Sequence, residues 1–187
     1  MVKNSLVNMA FKEWAVVCEA LGSGRQSVIL RKGGIAEGRA GFAFSHREFF
    51  LFPTRFHESL EKTTLPPGFA LPAEREGEVE IRFTAKIEWT CFLSDPEQIA
   101  GLSDFHILCR EVVEERFRFG EPPGIHIGFA RVYRMSSPWV LPMEKHFGGC
   151  RSWVELPASP EVSMEPVLSD EENQRRSKSL REILRLA

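Results

Sequence analysis

Residues 78–93 read Glu-Val-Glu-Ile-Arg-Phe-Thr-Ala-Lys-Ile-Glu-Trp-Thr-Cys-Phe-Leu, and this stretch decides the fold class. Apolar and polar side chains alternate along it, from Val79 to Leu93. A period of two residues is typical of a β-strand with one buried face and one polar face. We therefore expect a long strand over residues 78–93, and with it a fold that contains a sheet.

Apolar spacing predicts further elements on both sides of this strand. The upstream elements are a helix over residues 8–21, a strand over 27–31 and an extended segment over 42–52 that Pro53 ends. The downstream elements are a short helix capped by Ser94, a second amphipathic helix over 108–119, and strands over 125–135, 139–143 and 152–156. The sequence thus predicts an α+β fold: an N-terminal helix, a mainly antiparallel curved sheet or partial barrel, and short helices.

The last thirty residues differ from the rest of the chain. Residues 1–156 are predicted to form a single α+β domain, residues 157–168 a Pro-rich linker, and residues 169–187 a C-terminal amphipathic helix. Ser169 and Glu172 form a capping box, and basic residues follow the acidic first turn, which complements the helix dipole. We expect a docking helix that packs on its own domain or on a partner, rather than a nucleic-acid-binding arm.

Composition limits the classes of function. The chain has 187 residues, 43% of them hydrophobic, and a net charge of −2, so no overall positive field would hold nucleic acid and any such binding needs a local basic patch. Its four cysteines form no C-x-x-C pair, and it has neither a signal-peptide pattern nor a long apolar run. These features predict a cytoplasmic protein with reduced thiols.

Basic residues beside a glycine pair suggest an anion-binding site. Arg31 and Lys32 lead into Gly33 and Gly34, whose backbone amides are suited to a nest for a phosphate group. The pattern matches no nucleotide-binding fingerprint. The candidate ligand-binding residues are Arg31, Lys32, Gly33, Gly34, His46, Arg47, Glu48, Thr54 and His57.

Three other kinds of chemistry remain open. His46, His57 and Glu58 offer ligands for a divalent metal, although no cofactor is evident and the histidines could instead cap the strand. Cys150, between a glycine pair and Arg151, is a candidate nucleophile with a buried structural thiol as the alternative. Three charged side chains share the polar face of residues 78–93: Glu80, Lys86 and Glu88. They fit either a nuclease site or an ordinary solvent-exposed strand face.

Four segments resemble a known family when they are taken together: residues 12–17, 30–35, 46–57 and 149–154. They resemble the bacterial domain-of-unknown-function 1802 family over residues 10–156, with the tail outside. The resemblance implies a stand-alone bacterial cytoplasmic domain and no assigned activity. The strand-rich second half is similar, by fold analogy alone, to PUA-like barrels, which bind RNA or modified bases.

The sequence therefore supports three hypotheses about function. The first is a binding module for a phosphate-bearing ligand, with nucleic acid as the first candidate. The second is a metal-dependent hydrolase or nuclease that uses His46 and His57. The third is a scaffold that self-associates or docks a partner through the C-terminal helix.

Overall fold

The computed structural model describes residues 8–32, 42–55, 60–66, 69–149 and 151–186. These residues form seven strands and four α-helices, joined by turns and short 3-10 segments. The elements are β1 (Met9–Trp14), α1 (Ala15–Gly22), β2 (Val28–Arg31), β3 (Glu48–Thr54), β4 (Glu78–Leu93), α2 (Pro96–Ala100), α3 (Arg110–Arg118), β5 (Ile125–Pro142), β6 (Trp153–Glu155), β7 (Met164–Pro166) and α4 (Asp170–Ile183).

The strands form one open, mainly antiparallel sheet in the order β2-β5-β4-β3-β1-β6, with β7 paired to β5. Only β1 and β3 run parallel among the described strand pairs. The mixed α+β class, the mainly antiparallel sheet and the C-terminal helix are confirmed, and β4 has the predicted bounds. The analogy to PUA-like barrels stays a prediction.

The predicted N-terminal helix is wrong for its first half. Residues 9–14 form β1, which pairs with β3 on one side and with β6 on the other, and only residues 15–22 are helical. The helical spacing arose because Phe11 and Trp14 happen to lie three residues apart. Pairing with two neighbouring strands outweighs that local pattern, as tertiary contacts commonly do.

Two predicted breaks do not occur. Residues 125–142 form one continuous strand, because Ser136, Ser137 and Pro138 lie in a bulge opposite Arg82 of β4. Pro53 also lies inside a strand, paired with Glu13 of β1. The ladder between β3 and β4 extends only from Glu48 to Phe50, so Pro53 lies beyond the part of β3 that pairs with β4.

Two helix caps show how local chemistry sets the boundaries. The side chain of Asp95, not Ser94 as predicted, accepts a hydrogen bond from the backbone N–H of Glu97 and begins α2. Ser169 begins α4 as predicted, because its hydroxyl oxygen accepts a hydrogen bond from the Glu172 N–H at 3.2 Å. Residues 164–166, inside the predicted linker, form β7.

The sheet carries a hydrophobic cluster on each face. The larger one contains Phe11, Phe49 and Phe129, and the smaller one contains Phe52 and Phe147. Helix α4 packs on its own domain: Leu180 is fully buried, and Ser177 accepts a hydrogen bond from the Trp89 indole N–H at 2.9 Å. Within the described residues, no helix has both the length and the apolar character needed to cross a membrane.

Candidate anion-binding site

A buried carboxylate lies at the end of β1. Glu13 is only 2% exposed, on the same face of β1 as Phe11. Its carboxylate accepts a hydrogen bond from the Trp14 backbone N–H at 2.8 Å, and its backbone carbonyl accepts one from the Thr54 hydroxyl at 3.1 Å. A buried carboxylate is costly unless it is paired, so its cationic neighbours define the site.

Arg31 joins the two ends of the open sheet. It is the last residue of β2 at one end, while Glu13 of β1 and Ser152 beside β6 lie at the other end. One guanidinium nitrogen lies 3.8 Å from the Glu13 carboxylate, and another donates a hydrogen bond to the Ser152 hydroxyl at 3.1 Å. The guanidinium carbon lies 5.0 Å from the centre of the Phe11 ring. Side-chain contacts therefore bring together strands that share no backbone hydrogen bonds.

Two more cations lie in the same region. Arg116 of α3 donates a hydrogen bond to the Leu30 carbonyl at 2.8 Å, and its guanidinium lies 5.1 Å from the Trp14 ring centre. Burial lowers the pKa of Arg116, and the nearby Glu13 carboxylate offsets part of that effect. The Lys32 ammonium lies 3.2 Å from the centre of the Phe119 ring. Burial also lowers the pKa of Lys32, and Glu115 offsets part of it.

The ring of Trp153 provides a polar group without a partner. Its indole nitrogen is buried and makes no hydrogen bond within the part of the chain that the structure describes. The ring packs at 4.9 Å from Phe11 and 4.9 Å from His46, measured between ring centres. A buried donor without an acceptor is costly in most proteins, so this indole N–H would gain from an acceptor placed beside it. We call Glu13, Arg31, Lys32, Arg116, Ser152 and Trp153 the Arg31 cluster.

The structure places the candidate residues in two groups. Arg31, Lys32, His46 and Thr54 belong to the cluster or touch it. Arg47 and Glu48 instead face β4: the Arg47 side chain donates to the Ile87 carbonyl at 3.2 Å, and Glu48 pairs with Lys86 at 2.8 Å. The remaining candidates lie outside the described residues: Gly33, Gly34, His57, Glu58 and Cys150.

The alternative chemistries stay predictions. The described residues contain no group of three His, Cys, Asp or Glu side chains arranged to hold a metal, while two of the three proposed ligands lie outside them. In the predicted nuclease set, Glu80 pairs with Arg75, Lys86 with Glu48, and Glu88 accepts a hydrogen bond from Asn173. These three side chains thus bind partners on different elements.

Sequence reasoning missed Glu13, Arg116, Ser152 and Trp153 as members of a site. Glu13 and Trp153 lie in two of the segments that carry the family resemblance, which was the available signal. No sequence signal marked Arg116, because its position is that of an ordinary polar residue of an amphipathic helix. The contacts that assemble the cluster join residues distant in sequence, 121 positions apart for Arg31 and Ser152 and 86 for Arg116 and Leu30, and only the curvature of the sheet and the packing of α3 bring them together.

Comparison with known proteins supports family membership. No curated protein matches the chain significantly. Among solved structures, a crystal structure of a mutant of the ZmASCH protein from Zymomonas mobilis is similar, with a TM-score of 0.42 and 12% sequence identity, over 91% of this chain and 94% of that chain. The family model described as "Domain of unknown function (DUF1802)" matches residues 10–179. The match passes residue 156, where the predicted resemblance ended, and includes most of α4. The chain belongs to this domain-of-unknown-function family.

Proposed function

We propose that the protein binds a phosphate-bearing ligand, with nucleic acid as the first candidate, at the Arg31 cluster. The observation that supports this most strongly is an excess of positive charge at a partly desolvated place. The region holds three cations, Arg31, Lys32 and Arg116, against two carboxylates: buried Glu13 beside Arg31 and Arg116, and Glu115 near Lys32 and Arg116. An anion placed among them would offset the desolvation cost of Lys32 and Arg116.

The donors of the cluster fit phosphate oxygens. A guanidinium has five N–H donors in a planar fork, and Arg31 uses one of them on Ser152. Its ion pair with Glu13 is long, at 3.8 Å, so it leaves hydrogen-bonding capacity. The Trp153 indole N–H adds a neutral donor that has no partner within the described residues. Arginine is suited to such sites because its fork can bind two phosphate oxygens at once.

Aromatic side chains beside the cluster favour nucleic acid over free phosphate. Phe119, under the Lys32 ammonium, is 50% exposed, and Phe92 is 47% exposed. Phe92 packs 4.8 Å from the His126 ring, and the sheet register pairs His126 with both Phe92 and Arg31. Bases of single strands stack on exposed aromatics while cations bind the backbone, and the two occur together here.

Binding of a short fluorescent single-stranded RNA, measured by anisotropy at several salt concentrations, tests this proposal. Lys32→Ala should weaken binding about tenfold and lower the salt dependence by roughly one phosphate contact. The matched control is Lys178→Ala on α4, which removes the same charge from an exposed position. Arg31→Gln should weaken binding further, whereas Arg47→Ala should leave it unchanged.

Two results would overturn the proposal. One is RNA binding that survives both Lys32→Ala and Arg31→Gln. The other is the absence of RNA binding at low salt in the unmodified protein, together with no shift of the Trp153 indole resonance on addition of inorganic phosphate. A shift of that resonance by phosphate without RNA binding would support the anion site and reject nucleic acid.

A further inference from the structure

A cavity of about 570 Å³ lies on the opposite face of β1 from the Arg31 cluster, between β3 and β4. These two strands pair only from Glu48 to Phe50 and then diverge, because β4 continues with β5 while β3 continues with β1. Both diverging strands line the cavity, and so do α1 and residues 72–75. Its volume is in the range of about 300–1,000 Å³ that is usual for small-molecule sites.

The floor of this cavity is apolar and well buried. Phe52 is 1% exposed, Phe147 is 2% exposed, and their ring centres lie 5.3 Å apart. Val79 of β4 and Pro53 of β3 add apolar surface to the lining. Since Pro53 has no N–H to donate, it fits the part of β3 that stays beside β1 but has left β4 and borders the cavity. This floor suits a flat or branched apolar group.

One network of ion pairs on the lining joins two arginines to three glutamates. Arg82 donates to the Glu19 carboxylate at 2.9 Å and lies 3.7 Å from Glu80, while Arg75 pairs with Glu78 and Glu80 at 3.7 and 3.4 Å. Burial raises the pKa of Glu19, and the Arg82 guanidinium counteracts it. These two arginines and three glutamates carry a net charge of −1 when all are ionised, and Glu74 adds another carboxylate to the lining, so an anionic ligand would depend on cations outside this network.

Arg55 is different. It follows β3, lines the cavity and donates a hydrogen bond to the Pro72 carbonyl. No carboxylate among the described residues pairs with it, so its guanidinium keeps both its charge and most of its donors. A partly buried guanidinium that no carboxylate of the described residues pairs with, at the rim of a cavity with an apolar floor, suits one anionic group on an otherwise apolar molecule.

The Lys12 ammonium adds a second cation to the same lining. It donates to the carbonyls of Phe147 and Gly149, each at 2.7 Å, and these bonds hold the residue 145–149 turn against β1. The ammonium is therefore fixed in position by backbone groups. With Arg55, it is the second cation of the lining that lies outside the network around Arg82.

We propose that this cavity is a binding site for a small organic anion, in which a phosphate or carboxylate group is attached to an apolar body of one or two rings. Arg55 binds the anionic group, with Lys12 nearby, and the apolar body packs on Phe52 and Phe147. The site is separate from the Arg31 cluster, because successive side chains of β1 point to opposite faces of the sheet.

The test uses the full chain, four probes and nitrogen-15 NMR titration. The probes are phenyl phosphate, benzoate, inorganic phosphate and benzyl alcohol. We expect at least one of the two aromatic anions to shift the backbone resonances of Phe52 and Val79, with a dissociation constant about tenfold or more below those of inorganic phosphate and benzyl alcohol, because only the aromatic anions use both the guanidinium and the apolar floor. Whichever anion binds more tightly identifies the anionic group.

Variants locate the binding. Arg55→Ala should weaken the aromatic anion about tenfold, while Arg75→Ala, an arginine of the same lining already paired with glutamates, should leave it within about twofold. Arg31→Gln should have no effect. If Arg55→Ala fails to fold, Ala73→Trp at an exposed lining position should block the cavity and abolish the shifts. Equal affinity for benzyl alcohol and the anions, or unchanged binding in Arg55→Ala or Ala73→Trp, would overturn the proposal.

Discussion

Lys12 and Glu13 are consecutive residues of β1, yet their side chains belong to two different regions. Glu13 is 2% exposed and lies among aromatic rings and cations where the ends of the sheet meet. Lys12 lines an open cavity on the other face and binds backbone carbonyls. The buried Glu13 carboxylate is compensated by cationic side chains. The Lys12 ammonium, at a partly open surface, is instead held by backbone carbonyls.

The difference separates charged side chains that stabilise the fold from charged side chains that are available to bind a ligand. In the Arg31 cluster, removing the Glu13 carboxylate leaves Arg31 and Arg116 without a compensating charge, so stability and the proposed binding depend on the same group of side chains. On the cavity side, the network around Arg82 is complete without Arg55. Arg55 can therefore bind a ligand without being needed to hold the fold. Four predictions test this contrast.

The largest effect is expected at Glu13. Glu13→Ala removes the carboxylate that compensates Arg31 and Arg116, so we expect the free energy of unfolding to fall by about 3–5 kcal/mol, as for other broken buried ion pairs. Urea denaturation measures it. Glu155→Ala, an exposed glutamate on the neighbouring β6, is the control and should change little. A loss below about 1 kcal/mol in Glu13→Ala would contradict this account.

A pH dependence should appear on the same side of the molecule. Burial, with a further contribution from Arg116, lowers the pKa of His106 to about 4 from an ordinary value of 6.5. Between these two values the unfolded chain binds more protons than the folded one, so stability falls as the pH drops through this window. From pH 7 to pH 5 we expect this group to remove about 2 kcal/mol from the free energy of unfolding.

His106→Asn isolates that contribution. The Nδ1 atom of His106 accepts a hydrogen bond from the Leu108 N–H at 3.1 Å, and the asparagine oxygen can take its place without titrating. Urea denaturation at both pH values should show a smaller loss in the variant than in the unmodified protein. Equal losses in the two proteins would assign the pH dependence to other groups.

A smaller effect is expected on the cavity side. Lys12→Met keeps the apolar part of the side chain but leaves the Phe147 and Gly149 carbonyls without their donor, so we expect a loss of about 1–2 kcal/mol in the free energy of unfolding. Lys145→Met, at an exposed lysine in the same turn, controls for the change in charge. A loss in Lys12→Met as large as that in Glu13→Ala would remove the contrast between the two faces.

The smallest change in stability is expected at Trp153. Trp153→Phe removes an indole N–H that has no partner among the described residues, so stability should change by less than about 1 kcal/mol while RNA affinity falls about threefold or more. Trp89→Phe is the opposite control, because the Trp89 N–H donates to Ser177 and should affect stability but not RNA binding. Unchanged RNA affinity in Trp153→Phe would remove the indole from the site.

Local patterns predicted some elements well and failed at others for identifiable reasons. The bounds of β4 follow from an uninterrupted period of two, and the start of α4 follows from its capping box. The prediction failed over residues 9–14 because strand pairing outweighed a helical spacing, and over 136–138 because a long partner strand tolerates a bulge. In each failure, a contact distant in sequence decided the conformation.

The candidate sites show the same difference between local patterns, which the sequence reveals, and contacts distant in sequence, which it does not. Arg31 and Lys32 could be predicted as site residues because basic residues beside a glycine pair are a local pattern for anion binding. Arg116 and Trp153 could not, because their roles depend on contacts with residues distant in sequence. The cavity had no sequence signal, since it exists only where two strands diverge.

By itself, the sequence determined the α+β class, the long central strand, the cap of the last helix and the basic residues at the end of β2. These properties depend on residues close together in the chain, where periodicity and hydrogen-bonding chemistry act directly. The tertiary structure alone decided that Arg31 meets Glu13 and Ser152, and that Lys12 faces a different region. The physical reason is that the curvature of the sheet brings its ends together, while strand alternation separates neighbouring side chains.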